Sequence, residues 1–157
     1  MRKIDQLLSE YGESHQNSFN KSVHWICVPL IMFSLLGLLL SIPIPLVSKT
    51  VWTNWAVIVI VPALVYYFRL SKPMFIGFAL VSVVMLWINW AVYLYTGMSN
   101  GSMALISFAI FLLAWIGQFY GHKIEGKKPS FLKDIQFLLV GPAWLLHFIF
   151  NRYNINY

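Results

Sequence analysis

Hydrophobic positions fall into one short helical pattern followed by several long uncharged runs. Ile4, Leu7, Leu8 and Tyr11 recur at i, i+3, i+4 and i+7, one face of a helix, while Arg2, Lys3, Asp5, Gln6 and Glu10 fill the other. This spacing predicts a short amphipathic helix lying on a membrane surface. It lacks the apolar centre of a signal peptide. Residues 12–20 interrupt that helix, and Asn17, Ser18 or Asn20 can cap the next one by accepting a hydrogen bond from a free backbone N–H. Runs over 23–42, 51–70, 73–95 and 103–120 follow, with basic residues only at their ends. At 1.5 Å per residue such runs match a hydrocarbon core of roughly 30 Å. Pro43 and Pro45 end the first, and a polar turn from Thr96 to Ser102 follows the third. Trp52, Trp55, Tyr66 and Tyr67 bracket the second, and Trp87, Trp90, Tyr93 and Tyr95 lie towards the end of the third, as aromatic belts at the two interfaces do.

The last apolar stretch, 135–150, is short for a spanning helix and contains Gly141-Pro142, a helix breaker. It predicts a re-entrant or interfacial hairpin that returns His147 to the side of the other histidines. The expected fold is therefore all-α: one membrane domain over 1–157, with four spanning helices, the N-terminal amphipathic helix and the C-terminal hairpin.

Composition agrees. Hydrophobic residues make up 59% of the chain, charged residues 10%, and mean hydropathy is +0.71, against about 25% charged residues in soluble domains. A net charge of +6 suggests nucleic acid in a soluble protein, but here the basic residues sit in the loops of a membrane chain, where they set orientation. No nucleic-acid partner is expected. Arg2, Lys3, Lys21, Arg69, Lys72, Lys123, Lys127, Lys128 and Lys133 fall at one end of the predicted bundle, and only Lys49 at the other. Both ends of the bundle are thus expected to face the cytoplasm. The single cysteine, Cys27, has no internal disulfide partner and reads as a small packing residue.

Candidate chemistry centres on four histidines, His15, His24, His122 and His147, all near the ends of apolar segments. His15 and His24 are nine apart, half a turn out of phase on a continuous helix, so the break between them is needed for both to face one point. His122 and Glu125 are three apart and share a helix face, with Glu125 either a ligand or the group that orients a histidine ring. Asn17, Asn20 and Gln118 are further polar groups near the same interface. Neutral imidazole is a common ligand for iron, zinc and copper. The competing readings are histidines that merely end helices in a transporter or scaffold, and a zinc-dependent membrane hydrolase. Against a transporter, no ionisable group lies deep within the runs.

Three stretches carry a resemblance: His15-Gln16-Asn17 through Asn20 to His24 with Pro29, Gln118-Phe119-Tyr120-Gly121-His122 with Glu125, and Gly141-Pro142. Together with the segment pattern the chain resembles the membrane 2-hydroxy fatty acid dioxygenases, a family of phytosphingosine breakdown in the fungal endoplasmic reticulum with bacterial relatives. The resemblance implies iron(II)-dependent α-oxidation, in which molecular oxygen shortens a long-chain 2-hydroxy fatty acid by one carbon. On that resemblance His15, His24 and His122 are expected as iron ligands with His147 as a fourth, at a place where the family carries an acidic residue after Gly-Pro; Glu125, Asn17 and Asn20 are expected as catalytic-site residues, and Lys127 or Lys128 as the attractor of the substrate carboxylate. The expected setting is a bacterial inner membrane or the endoplasmic reticulum, with the site on the cytoplasmic side and the acyl tail between the apolar helices.

Overall fold

The computed structural model describes residues 2–132 and 134–157, so Met1 and the loop residue Lys133 lie outside the described residues. Among the described residues six helices make up the fold: α1 (Lys3–Glu13), α2 (Ser18–Ser41), α3 (Trp55–Leu70), α4 (Lys72–Tyr95), α5 (Asn100–Glu125) and α6 (Phe137–Arg152), with a short 3-10 turn over Ser130–Leu132. Side-chain caps explain most of the starts. Asn17 accepts from the amides of Phe19 and Asn20 to begin α2, Asn54 caps α3, Ser71 caps α4 and Ser99 caps α5. At the other end of α5, Gly126 takes a left-handed φ of 73° and its N–H returns to the His122 carbonyl, the stop that glycine permits.

Three helices, α2, α4 and α5, are long and apolar enough to cross a membrane. α3 has 16 residues, about 24 Å of helix, short of a core of roughly 30 Å. The sequence run that opens at residue 51 starts with a non-helical segment, because Asn54 sets the helix start one turn later. Outward side chains such as Ile26, Leu80, Leu105 and Leu113 are exposed and apolar, a surface suited to lipid rather than water.

α2 and α5 run antiparallel in close contact along their length. A Cβ at Gly121 would stand 2.5 Å from Asn20 Oδ1, one at Gly117 would stand 2.7 Å from Cys27 Sγ, and one at Gly37 would stand 2.2 Å from Ser107 Oγ. Gly117 and Gly121 have the four-residue spacing by which membrane helices bring their backbones together. Asn89 of α4 joins the pair from the side, donating from Nδ2 to the Phe33 carbonyl at 3.1 Å and to its own helix at Met85. At the end remote from the histidines, Lys49 Nζ donates to the Leu40 carbonyl of α2 at 2.8 Å and to Asn100 Oδ1 of α5 at 2.7 Å.

Two features depart from the sequence expectation. The apolar face of α1 is covered by protein instead of lying on lipid: Ile4, Leu7, Leu8 and Tyr11 are buried in one core with Phe137, Val140, Ala143 and Trp144 of α6. The reason is the second departure. α6 continues through Gly141-Pro142 as one helix, not a hairpin. Pro142 lacks the N–H that would reach the Leu138 carbonyl, and at the adjacent position the Tyr67 hydroxyl of α3 donates to the Leu139 carbonyl, tying α6 to α3. Gly141 provides closeness rather than a bend, since a Cβ there would come within 3.1 Å of the Tyr11 hydroxyl. The unbroken α6 thus lies across the histidine end of the bundle and gives α1 a surface to cover.

Close packing at Gly37 predicts an asymmetric glycine effect. Gly37→Val, which must displace Ser107 and Asn89, should destabilise the protein by about 1–3 kcal/mol. Gly101→Ala, where the nearest atom is 4.0 Å away, should be neutral or stabilising by up to ~1 kcal/mol. Thermal unfolding of both variants in the same detergent measures the difference, and equal shifts would contradict the close α2–α5 approach.

Candidate metal centre

His15 lies in the connection between α1 and α2, His24 one and a half turns into α2, and His122 one turn from the end of α5. All three are buried. Each offers a ring nitrogen within 4.8 Å of the others. Ring centroids are 4.2 Å apart for His15 and His24, 4.9 Å for His15 and His122, and 5.0 Å for His24 and His122, all near perpendicular.

Hydrogen bonding decides what these nitrogens present. His15 Nδ1 donates to the Tyr11 carbonyl at 2.5 Å, and His24 Nδ1 donates to the Asn20 carbonyl at 2.8 Å, each four residues back. A neutral imidazole has one N–H, so both Nε2 atoms carry bare lone pairs. These two atoms are 2.9 Å apart. Two acceptors at that distance have no proton to share, an arrangement that a cation bound to both would relieve. His122 Nδ1 is also buried and has no hydrogen-bond partner among the described residues. Two nitrogens bound at about 2.1 Å to one first-row metal lie no more than about 4.2 Å apart, so the closest pair fits one ion. Burial, with the neighbouring His24 second, pushes His15 down to about 3. At neutral pH it holds the unprotonated form that metals bind.

The walls are aromatic. Tyr11 stacks on His15 with centroids 4.0 Å apart, and Trp144 of α6 stands 5.2 Å from His15 and 6.4 Å from His24. Below the rings, a cavity of about 60 Å³ is lined by His24, His122, Gln118 and Tyr11 on the site side and by Ile31 and Trp115 on the membrane side. Beside His122 an open cleft of about 290 Å³ carries Lys123, Lys127 and Lys128.

A family model described as 2-hydroxy-palmitic acid dioxygenase Mpo1-like matches residues 1–153. The chain belongs to the Mpo1-like family. No curated protein and no solved structure matches it.

Around the histidines of this Mpo1-like chain, the other residues singled out from sequence take distinct places. Glu125 is not among the three clustered nitrogens. Its carboxylate accepts from the Gln16 and Asn17 amides, each at 2.9 Å, and from Asn20 Nδ2 at 3.2 Å. It clamps the end of α5 to the connection that follows His15. Asn17 caps α2, and Asn20 is buried, its Nδ2 also donating to the Ser14 carbonyl at 3.3 Å. Lys127 Nζ donates to the Glu13 carbonyl at 2.6 Å, so one of the two lysines is engaged at the end of α1 while Lys128 lines the open cleft. His147 is not brought to the cluster. Its Nδ1 meets the Tyr157 hydroxyl and its Nε2 receives Asn151 Nδ2 at 3.1 Å. Because α6 does not turn at Gly141-Pro142, it is Trp144 that reaches the rings. In the sequence Trp144 reads as a belt residue and Tyr11 only as part of the apolar face of the first helix, so neither points to the rings. The one local signal was Tyr11 standing four residues before His15.

Removal of a ring should therefore be selective. His15→Ala, His24→Ala and His122→Ala should each lower the metal content of the purified protein, whereas His147→Ala should leave it unchanged, as measured by inductively coupled plasma mass spectrometry. Full metal content in His24→Ala would take His24 out of the set. Glu125→Ala, which frees the connection after His15, should weaken metal affinity by roughly 10–100-fold without loss of helical circular dichroism.

Proposed function

We propose that the chain is an iron(II)-dependent dioxygenase that shortens a long-chain 2-hydroxy fatty acid by one carbon. The observation that carries this reading is the pair of bare Nε2 atoms 2.9 Å apart, with the unpartnered His122 Nδ1 beside them, at the mouth of an apolar cavity in a member of a family described as 2-hydroxy-palmitic acid dioxygenase. His15, His24 and His122 would hold the ion. Bound iron(II) would supply a redox-active centre with positions left open for substrate and oxygen.

The protein's own groups prepare that chemistry. The carbonyls of Tyr11 and Asn20 fix the tautomers of His15 and His24, so both rings point the same nitrogen inward. Glu125 keeps His15 opposite α5 by holding the amides that follow it. Tyr11 and Trp144 exclude water from two sides. Lys128, with Lys123, places positive charge where a fatty acid carboxylate arrives from the interface. A 2-hydroxy acid brings a carboxylate and an adjacent hydroxyl, two oxygens suited to one cation. The overall change balances without an external reductant: the 2-hydroxy acid and one oxygen molecule give the acid one carbon shorter, carbon dioxide and water. The excess of basic residues at the histidine end supports a cytoplasmic site, in a bacterial inner membrane or the endoplasmic reticulum.

Purified protein loaded with iron(II) and supplied with oxygen and 2-hydroxypalmitic acid should release the acid one carbon shorter, identified by mass spectrometry. Palmitic acid without the hydroxyl should be a poor substrate, and chelation or exclusion of oxygen should stop turnover. Absence of the shortened acid under iron and oxygen would sink the reading. A zinc-loaded protein with hydrolytic activity would replace it with the hydrolase alternative.

A further inference from the structure

A second cavity, of about 290 Å³, lies among α2, α3, α4, α5 and α6. Its lining is apolar apart from Ser82, whose buried hydroxyl has no partner among the described residues. Ile31, Met32, Trp115, Leu138 and Pro142 line both this space and the small cavity under His24 and His122. The two spaces therefore meet along a shared wall, where the Trp115 indole N–H is itself buried and, among the described residues, unpartnered.

Direction along the helices gives the depth. From His24 to Leu36, which borders the far part of the second cavity, α2 advances about 18 Å. One leaflet of a hydrocarbon core of roughly 30 Å holds acyl chains over about 15 Å. α3 and α4 arrive at the same depth from opposite ends, with Ile60 and Ser82 farther from the histidines than Ala63 and Phe78.

We infer that these adjoining cavities form the acyl channel of the substrate, closed near Leu36, Ile60 and Ser82, and that these residues set the chain length the protein accepts. The inference rests on the proposed 2-hydroxy acid substrate and names where its tail lies. The occupant is a single-chain fatty acid with its carboxylate end at the histidines. Proximity to the ring nitrogens demands a polar head there, the basic cleft beside His122 favours a negative one, and the narrow apolar volume favours one tail over the two of a phospholipid.

Two measurements test it, one of them independent of turnover. A 2-hydroxy fatty acid with a photoreactive group on its terminal carbon, irradiated with wild-type protein in detergent and mapped by peptide mass spectrometry, should label 59–63 of α3 or 78–82 of α4 at the inward residues Ile60, Ala63, Phe78 or Ser82. Labelling only at outward residues such as Leu80 would mean that the tail stays in surrounding lipid, and would overturn the channel. The second compares kcat/KM for 2-hydroxypalmitic acid with that for its homologue four carbons shorter. Ser82→Phe should lower that ratio by about tenfold or more, and Leu80→Phe on the lipid face should not change it. An unchanged ratio in folded Ser82→Phe protein would overturn the assignment of the closed end. Inward labelling without any shortened product would uphold the channel while removing the dioxygenase reading.

Discussion

The close antiparallel approach of α2 and α5 is the contact on which the rest of the molecule depends. It is made possible by the absence of a side chain at Gly37, Gly117 and Gly121, each of which faces a side-chain atom of the partner helix at less than 3 Å from where a Cβ would stand. In hydrocarbon there is no water to expel between apolar helices, so association rests on packing and on polar contacts. This pair has both, since Asn20, Ser107 and Asn89 lie against those same glycines. The consequence for chemistry is direct. His24 is four residues beyond Asn20 and His122 follows Gly121, so the distance between the two rings is fixed by how closely the backbones approach.

His15 reaches the same point by a different route, and its placement is polar rather than steric. Glu125 holds the amides of Gln16 and Asn17, Lys127 holds the Glu13 carbonyl, and the Ser14 and Ser130 hydroxyls meet at 2.6 Å. Four short-range contacts thus surround one residue of an otherwise irregular connection. The rings themselves add no attraction to one another, because the two inward Nε2 atoms are both acceptors. The surrounding contacts keep the bare lone pairs together in advance of any cation, the usual arrangement of a preorganised site.

Much of this was legible from residue order. Helical spacing gave α1 and its inward face, apolar run length gave the long helices, and the break before α2 together with the phase of His15 and His24 brought those two rings to a common point. What sequence could not supply was the partner of each face. Ile4, Leu7, Leu8 and Tyr11 have the same periodicity whether they meet lipid or α6. Gly141-Pro142 reads as a turn, yet α6 runs on through it, packed against α1 and tied to α3. His147, at the end of an apolar run like its three counterparts, differs only in the helix that carries it. Glu125 shared a helix face with His122 as expected, yet the partners that occupy its carboxylate come from more than a hundred residues earlier in the chain, a distance no local pattern spans.

The seating of α1 on α6 bears on the order of events during synthesis. α1 is made more than a hundred residues before α6, yet Ile4, Leu7, Leu8 and Tyr11 bury themselves against Phe137, Val140 and Trp144. Of the four helices between them, α3 and α4 pair as sequence neighbours while α2 must wait for α5, and the contact of α1 with α6 joins segments farther apart still. Until it forms, Tyr11 has no α6 surface beneath it and His15 lacks the Trp144 wall. His15, His24 and His122 are thus all present once α5 has been made, but the aromatic walls close over them only when α6 has joined α1.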